Sequence, residues 1–332
     1  MGHVAVLGAG AWGTAWSRQL AEHGQRVRLW SHLVEHANAL REQRENVAFF
    51  PGFELSEAIE PEHELPKVLE SARAVFVVVP TTAVRATLEK ARAALAPDAV
   101  VVLASKGIEP NSLMLLTEVV GDVLGADFEA RAVALSGPSF AEEVARGLPT
   151  NLVAASRDEA SAHAVQQLLS SERLRVYTSA DPVGVQVGGA LKNVMAIAAG
   201  ASDGLGFGHN TRAALVTRGL AEMARLTAAK GGEPSTLSGL SGLGDLVLTA
   251  TGALSRNRTL GFELARGRSL SEALESLGHV AEGVTTAKSA HDLGERLSVD
   301  LPISTEVYRV LYEDKPVYDA VQGLLHRLPG RE

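Results

Sequence analysis

His3-Val-Ala-Val-Leu-Gly-Ala-Gly-Ala-Trp-Gly13 opens with an apolar run that leads directly into three glycines, Gly8, Gly10 and Gly13. A helical pattern follows at Thr14–Glu22, so the order is strand, glycine turn, helix. In this context the three glycines predict a dinucleotide-binding turn: the first allows the tight turn, the second lets the backbone approach a pyrophosphate, and the third lets the helix pack on the strand. The amides at the helix N-terminus would bind the anion. The alternative is a tight strand–helix turn that binds nothing.

The rest of the first half alternates strands with helices. Val- and Ala-rich runs without polar alternation predict strands covered on both faces: Val27–Trp30, Ala74–Val79, Ala99–Ala104, Arg131–Leu135, Asn151–Ala155 and Leu174–Tyr177. Helical patterns lie between them at Ala83–Leu95, Ser112–Leu124 and Glu159–Ser170. This alternation predicts an α/β fold with a Rossmann-like, doubly wound parallel sheet.

The pattern changes after Asp181-Pro182, where valine-rich strands give way to successive helices. The helical patterns are Val185–Ser202, Thr211–Lys230, Thr259–Arg266 and Thr285–Leu297. We therefore predict two domains, a dinucleotide-binding domain over residues 1–180 and an all-helical, substrate-binding domain over residues 181–332.

Composition and charge exclude several classes of function. The 332 residues carry a net charge of −8, so nucleic acid and anionic membranes are not expected partners, and an acidic substrate needs a local basic pocket. Cysteine is absent, which removes disulfides, thiolate metal sites and thiol nucleophiles and is typical of a reducing cytoplasm. No leader precedes the first strand, and no apolar run approaches ~20 residues. We expect a soluble, cytoplasmic protein that needs no metal.

The end of the second predicted strand bears on the choice of cofactor. In NAD-specific sites an acid ~20 residues after the glycines binds the ribose 2′-hydroxyl. Here the strand ends Arg28-Leu-Trp-Ser-His32 without an acid, and Glu35 is expected inside the next helix. Arg28 or His32 could approach a 2′-phosphate, or both are solvated surface residues. The sequence favours NADPH and leaves NADH open.

Two of the seven lysines occupy unusual positions. Lys106 follows a predicted strand, at the sheet edge where ligands bind. Lys192 lies in an apolar helical stretch, Gly188–Ala199, where burying an ammonium group is costly unless something uses it. Either Lys192 reaches water past small neighbours, or burial lowers its pKa and makes it a general acid. We favour the second interpretation, with glycines at 188 and 189 allowing close approach of another backbone or of the cofactor.

Three further segments carry candidate binding groups. Gly239–Thr249 is a glycine-rich turn leading to Asp245, which is either a site residue or simply a helix N-cap. In Ser255-Arg-Asn-Arg258, Ser255 is a plausible N-cap, and Arg256 and Asn257 offer donors beside a helix N-terminus, a ready phosphate site unless the arginines are solvated. Gly137-Pro-Ser-Phe-Ala141 is another loop at the edge of the sheet.

Taken together, these segments resemble the bacterial NAD(P)-dependent glycerol-3-phosphate dehydrogenases over nearly the full length. The resemblance is carried by Gly8–Ala15, Asn46–Pro51, Ser105-Lys-Gly, Gly137–Phe140, Gly188–Asn193, Gly206–Asn210, Thr217–Glu222, Gly242–Thr249 and Ser255–Arg258. The combination is specific, since other β-hydroxyacid dehydrogenases share the two-domain plan without this set. Two departures, Ser105 for a commoner Thr and Ala250 for a frequent Cys, supply no essential group.

The resemblance implies a role for each matching residue. Lys192 would be the catalytic proton donor and acceptor, and Lys106 would contact both cofactor and substrate. Substrate binding would involve Gly137, Ser139, Lys192, Asp245, Ser255, Arg256 and Asn257. Cofactor contacts would come from Gly8, Gly10, Ala11, Trp12, Gly13, His32, Ala141, Arg256, Val280 and Glu282. Asn193 and Thr249 fit the family pattern near the active site.

The reaction implied is reversible reduction of dihydroxyacetone phosphate to sn-glycerol 3-phosphate by NADPH or NADH. The resemblance also implies a role at the start of glycerophospholipid synthesis and favours a homodimer. Two alternatives remain at this point. One is a β-hydroxyacid dehydrogenase for a carboxylate substrate, which Arg256 could equally anchor. The other is a nucleotide-sensing regulator, against which the pairing of Lys192 with Asp245 argues.

Overall fold

The computed structural model describes residues 2–278 and 281–326. The chain divides into two compact units, residues 1–105 with 116–182, and residues 106–115 with 183–332. Each unit has its own apolar core. The division follows Pro182, and the short segment 106–115 belongs with the second unit although the strand before it belongs to the first.

The first unit is built on an eight-stranded sheet. The strands of the chain, in order, are β1 His3–Leu7, β2 Val27–Trp30, β3 Glu45–Asn46, β4 Phe50–Glu54, β5 Ile59–Glu62, β6 Ala72–Val77, β7 Val100–Leu103, β8 Val133–Ser136, β9 Thr150–Ala155 and β10 Leu174–Ser179. In the large sheet the order is β10-β9-β8-β7-β6-β1-β2-β5, while β3 and β4 form a separate antiparallel pair. The eight helices of this unit are α1 Ala11–Glu22, α2 Val34–Gln43, α3 Leu65–Leu69, α4 Val84–Ala91, α5 Leu116–Leu124, α6 Ala126–Arg131, α7 Ala141–Ala145 and α8 Glu159–Leu169.

The sheet confirms the predicted doubly wound architecture, with one antiparallel pair. All neighbours in the large sheet are parallel except β8 and β9. The link between these two strands contains only the five-residue helix α7. At 1.5 Å rise per residue, such a helix is too short to carry the chain back along the sheet, so β9 returns from the edge at which β8 ends. The edge strand β5, with Pro61 and two glutamates, has no apolar run and was not predicted.

The second unit is helical over its described residues. Its helices are α9 Pro182–Gly204, α10 His209–Ala229, α11 Asp245–Thr251, α12 Arg256–Ala265, α13 Leu270–Leu277, α14 Glu282–Leu297, α15 Pro302–Tyr312 and α16 Val317–Leu325. The predicted all-helical second half is therefore confirmed. α9 is long and apolar enough to span a bilayer, contrary to the expectation that no run reaches that length. An 18-residue window of it is 94% buried inside the protein, as in a core helix.

The helix predicted over Ser112–Leu124 begins four residues later. Asn111 and Leu113 have φ angles of 70° and 60°, in the left-handed region that an α-helix cannot contain. Leu113 and Leu115 pack instead in the core of the second unit, beside residues of α9 and α14. This irregular segment therefore delivers Lys106 to the helical unit.

Candidate active site

The glycine turn after β1 has the geometry that the three glycines predict. Gly8 has φ +116°, and a Cβ on Gly13 would lie 1.7 Å from the carbonyl oxygen of Gly8, so only glycine fits where α1 meets the turn. Gly10 differs, because none of the described residues has an atom within 4 Å of its would-be Cβ. The buried Asn46 holds the turn by donating to the carbonyl of Ala9 at 2.9 Å and to Thr14 Oγ1 at 2.7 Å.

The open space at Gly10 and the first amides of α1 fit a dinucleotide pyrophosphate. The first amides of an α-helix have no intrahelical acceptor, so they are available to an anion. Ala11, Trp12 and Ala141, three of the predicted cofactor contacts, pack against one small cluster that contains Ala15, Phe50 and Ala145. The structure therefore brings these three residues together at the start of α1 and of α7.

The end of β2 carries no carboxylate, as the sequence predicts. His32 follows the strand and is exposed, and Glu35 lies in the first turn of α2. Arg28 is held within the sheet region, where it pairs with Glu60 at 3.2 Å. His32 is therefore better placed than Arg28 to approach a ribose 2′-phosphate. The acid in register with Trp30 is Glu62 of β5, whose Oε1 accepts the amides of residues 63 and 64.

Gly137 and Ser139 lie in the loop after β8. Gly137 has φ +136°, and a Cβ there would approach the carbonyl oxygen of Asn151 to 2.9 Å. Ser139 is buried, and its hydroxyl donates to the carbonyl of Gly137 at 3.0 Å. The loop is therefore fixed by its own contacts, and binding of substrate by these two residues remains a prediction.

Lys192 is buried in the middle of α9, and its surroundings follow from the glycine one turn before it. A Cβ on Gly188 would lie 2.5 Å from the carbonyl oxygen of Ser241, so glycine is required for this close packing. Residues i and i+4 share a helix face, which places Lys192 beside the segment that Gly188 contacts. That segment, a π-helical turn over Leu240–Gly244, leads directly into Asp245.

Asp245 joins two lysines that are far apart in the sequence. Lys192 Nζ donates to one carboxylate oxygen at 2.5 Å, and Lys106 Nζ donates to the other at 2.7 Å. Asp245 is fully buried and Lys192 is 5% exposed. Because Gly244 is the N-cap of α11, the carboxylate serves the lysines and does not cap the helix. The side-chain cluster Lys106–Asp245–Lys192 lies entirely within the second unit.

The electrostatics of this cluster prepare Lys192 for proton transfer. The pKa of Lys192 is lowered from 10.5 to about 8, mainly by burial and in part by the nearby charge of Lys106, while the carboxylate of Asp245 opposes the shift. The Lys192 ammonium therefore exchanges a proton more readily near neutral pH than an ordinary lysine does.

Thr249 fixes the direction of the Lys192 ammonium. Its hydroxyl donates to the backbone carbonyl of Asp245 at 2.6 Å, so it can only accept from Lys192 Nζ, 3.1 Å away. Two of the three ammonium protons of Lys192 are thus directed at Asp245 and Thr249.

The two arginines of the Ser255–Arg258 segment differ in their contacts. Ser255 is the N-cap of α12, accepting the amide of Arg258 at 3.2 Å, as predicted. The guanidinium of Arg258 pairs with Asp203 at 2.7 Å and has a structural role. Arg256 is exposed and has no hydrogen-bond or ion-pair partner among residues 2–278 and 281–326. Arg256 is therefore the arginine available to an anion.

Asn257 contacts the start of α14, where Glu282 is the first residue. The Asn257 side chain is buried and bonds to Asn193 and to the amide of Gly283, both at 3.0 Å. Withdrawal from water raises the pKa of Glu282 above its usual range, opposed by the positive charges of Arg256, Lys106 and Lys192. Glu282 therefore lies within the electrostatic reach of the basic site residues. Val280, a predicted cofactor contact, lies outside the described residues.

The structure thus brings the predicted residues together in two groups, one in each unit. The first contains the glycine turn with Ala11, Trp12 and Ala141. The second contains Lys106, Lys192, Asp245, Arg256 and Glu282. Sequence reasoning missed the direct pairing of Lys106 with Asp245, since the two residues are 139 apart and carry no local signal.

Comparisons with known proteins identify the family. Residues 3–162 match the N-terminal family profile of NAD-dependent glycerol-3-phosphate dehydrogenase, and residues 181–322 match its C-terminal profile. A glycerol-3-phosphate dehydrogenase [NAD(P)+] from Nitrosomonas europaea is 50% identical over 99% of both chains. The chain belongs to the NAD-dependent glycerol-3-phosphate dehydrogenase family.

Other members of the family support the assignment. A glycerol-3-phosphate dehydrogenase [NAD(P)+] from Geobacter metallireducens is 49% identical over 99% of this chain and 98% of its own. The crystal structure of a glycerol-3-phosphate dehydrogenase from Coxiella burnetii has a TM-score of 0.94 at 39% identity, covering 98% of this chain and 99% of that one. The chain is thus an NAD(P)-dependent glycerol-3-phosphate dehydrogenase.

Proposed function

We propose that the protein reduces dihydroxyacetone phosphate to sn-glycerol 3-phosphate, reversibly, with NADPH or NADH. The observation that carries the proposal is the buried Lys106–Asp245–Lys192 cluster, in which the pKa of Lys192 is lowered to about 8. A protein that only senses nucleotides has no need of such a proton donor. The cofactor would be held by the amides at Gly10–Gly13, with Trp12, Ala141 and His32 beside it.

In the reduction, Lys192 protonates the oxygen of the substrate carbonyl. When bound, the reduced nicotinamide supplies the hydride that the carbonyl carbon accepts. As negative charge develops on the oxygen, Lys192 Nζ transfers its third proton to it and becomes a neutral amine, while Lys106 adds positive potential. Asp245 keeps Lys192 oriented throughout. In the reverse direction the neutral amine takes the hydroxyl proton of sn-glycerol 3-phosphate.

Arg256 would bind the substrate phosphate. Its guanidinium is exposed and unpaired within the described residues, and the adjacent N-terminus of α12 offers amides and the Ser255 hydroxyl. Asn257 would reach the same phosphate with the second N–H of its side-chain amide, which is not used in the bond to Asn193. Gly137 and Ser139 complete the set of substrate contacts that we propose.

The cellular setting follows from the same proposal. The product carries the three-carbon backbone and phosphate of glycerophospholipids, so the enzyme would supply the starting compound for their synthesis. The absence of cysteine accords with the reducing cytoplasm, where we place it. We also propose a homodimer, supported by exposed apolar side chains in the second unit such as Tyr318 and Leu325 on α16.

Loss of NAD(P)H absorbance on adding dihydroxyacetone phosphate tests the activity. We expect turnover with the phosphorylated ketone, measured with NADH and NADPH side by side, and little with a carboxylated ketone of the same length. Faster turnover of the carboxylated ketone would make the protein a different β-hydroxyacid dehydrogenase. Nucleotide binding with no turnover of either ketone would make it a sensor.

A further inference from the structure

Three helices of the second unit are in contact through three residues, and each of these residues comes directly after a charged site residue in the sequence. Asn193 follows Lys192 on α9, Asn257 follows Arg256 on α12, and Gly283 follows Glu282 on α14. Asn193, Asn257 and Gly283 are buried and in direct contact with one another. We call Asn193, Asn257 and Gly283 the asparagine latch.

The hydrogen bonds of the latch have only one consistent orientation. The Gly283 amide can only donate, so the oxygen of the Asn257 side chain must face it, at 3.0 Å. The nitrogen of the same side chain then faces Asn193, whose Oδ1 accepts at 3.0 Å. The Asn257 amide therefore ties the N-terminus of α14 to the middle of α9, and it does so from the first turn of α12.

Gly283 is required at its position for space and not for backbone conformation. An added Cβ would lie 2.6 Å from Asn257 Oδ1 and 2.9 Å from both the carbonyl oxygen of Asn193 and the Cδ1 of Ile197. One of these neighbours is backbone of the core helix α9, which cannot withdraw. A methyl group at residue 283 would therefore displace the start of α14 and break the latch.

We propose that Asn193, Asn257 and Gly283 are positioning residues that set the spacing between Lys192, Arg256 and Glu282. Lys192 is separately fixed by Asp245 and Thr249, so loss of the latch moves Arg256 and Glu282 and leaves the proton donor in place. The latch thereby selects substrates by the distance between the carbonyl and the phosphate. The selection of a ketone phosphate rests on the proposed function, whereas the placing of the phosphate anchor does not.

Gly283→Ala tests the latch without removing any side-chain atom that could touch a ligand. We expect the KM for dihydroxyacetone phosphate to rise about tenfold while kcat changes less than threefold, because the anchor moves and the proton donor does not. Titration calorimetry with sn-glycerol 3-phosphate and with inorganic phosphate, without cofactor, is expected to show a similar loss of affinity. Gly323→Ala on α16 is the matched control, since its added Cβ would come no closer than 3.5 Å to Lys315 Nζ.

Asn193→Ala provides a second test if Gly283→Ala does not fold, and the same criteria apply to it. A folded Gly283→Ala or Asn193→Ala variant with KM and phosphate affinity within twofold of wild type, or with lowered kcat at unchanged KM, would overturn the latch. Wild-type protein that binds phosphate and does not turn over the ketone would instead refute the proposed function. The calorimetric comparison of phosphate affinity between wild type and variant would still test the latch.

Discussion

Lys192 shows how burial and neighbouring charge together produce a reactive group. In the reduction the protonated form acts, so a pKa of about 8 predicts that kcat/KM is level below that pH and falls about tenfold per pH unit above it. In the oxidation of sn-glycerol 3-phosphate the neutral form acts, so the rate rises up to pH 8 and then levels.

The charge of Lys106 lowers the pKa of Lys192, and Lys106→Met tests this. Removing the positive charge should raise the pKa of Lys192 and move the alkaline fall of the reduction to higher pH. Full pH–rate profiles of wild type and variant measure the shift independently of any change in the maximal rate. A profile that stays in place would show that the two lysines do not interact.

Arg256 and Arg258 lie two residues apart and are expected to respond differently to removal. Arg256→Ala should raise the KM for the phosphorylated substrate roughly 10- to 100-fold, since a charge-assisted phosphate contact is worth ~1.5–3 kcal/mol, and leave thermal stability unchanged. Arg258→Ala should mainly lower the melting temperature, because it leaves the buried Asp203 with one partner fewer. An unchanged KM in Arg256→Ala would place the phosphate elsewhere.

At single residues the sequence identified most of the candidate groups but not their contacts. Lys192 is recognisable as a candidate because burying an ammonium group on an apolar helix is costly. Ser255 is recognisable as an N-cap because it directly precedes a helix. The sharing of Asp245 between two lysines was not predictable, since the fold alone brings together residues that are 53 and 139 apart. Thr249 likewise gained its role from the helix turn that it shares with Asp245.

Within the first strand–turn–helix element, Gly10 and Gly13 serve different purposes. Gly13→Ala should prevent tight packing of α1 on the turn and destabilise the protein by ~3 kcal/mol or more, since its Cβ would overlap the Gly8 carbonyl. Gly10→Ala meets no described atom, so it should leave the melting temperature within about 2 °C of wild type and weaken NAD(P)H binding at least tenfold. Calorimetric melting and cofactor titration of both variants separate the two effects. If Gly10→Ala binds the cofactor normally, this turn does not hold the pyrophosphate.

Strands and helices with a clear apolar pattern were predicted well, and the errors have local causes. The parallel strands are covered on both faces, which makes their apolar runs conspicuous. The edge strand β5 lacks such a run. Left-handed backbone at Asn111 and Leu113 prevents a helix where the apolar pattern alone predicts one. The antiparallel placement of β9 follows from the length of α7, which periodicity does not reveal.

For the whole molecule, we expect a homodimer of twice 34.9 kDa in sedimentation equilibrium. Leu325, 61% exposed on α16, is an apolar residue that a subunit interface would cover, so Leu325→Glu should shift the mass toward the monomer. Leu148→Glu, at a 46% exposed leucine of the first unit, is the control and should leave the mass unchanged. A wild-type mass of one chain would refute the dimer.

The division into two units was visible in the sequence as the loss of valine-rich strands after Pro182. The return of residues 106–115 to the helical unit was not, because only tertiary packing of Leu113 and Leu115 reveals it. This excursion gives Lys106 its place beside Asp245, and the proposed chemistry depends on it.

The most direct test of the account is the rate of Lys192→Met with dihydroxyacetone phosphate and NAD(P)H at saturation. Methionine keeps much of the buried side-chain volume and removes the proton, so kcat should fall roughly 10²–10⁴-fold while cofactor affinity stays nearly intact. A kcat within a few-fold of wild type would contradict the assignment of Lys192 as the proton donor.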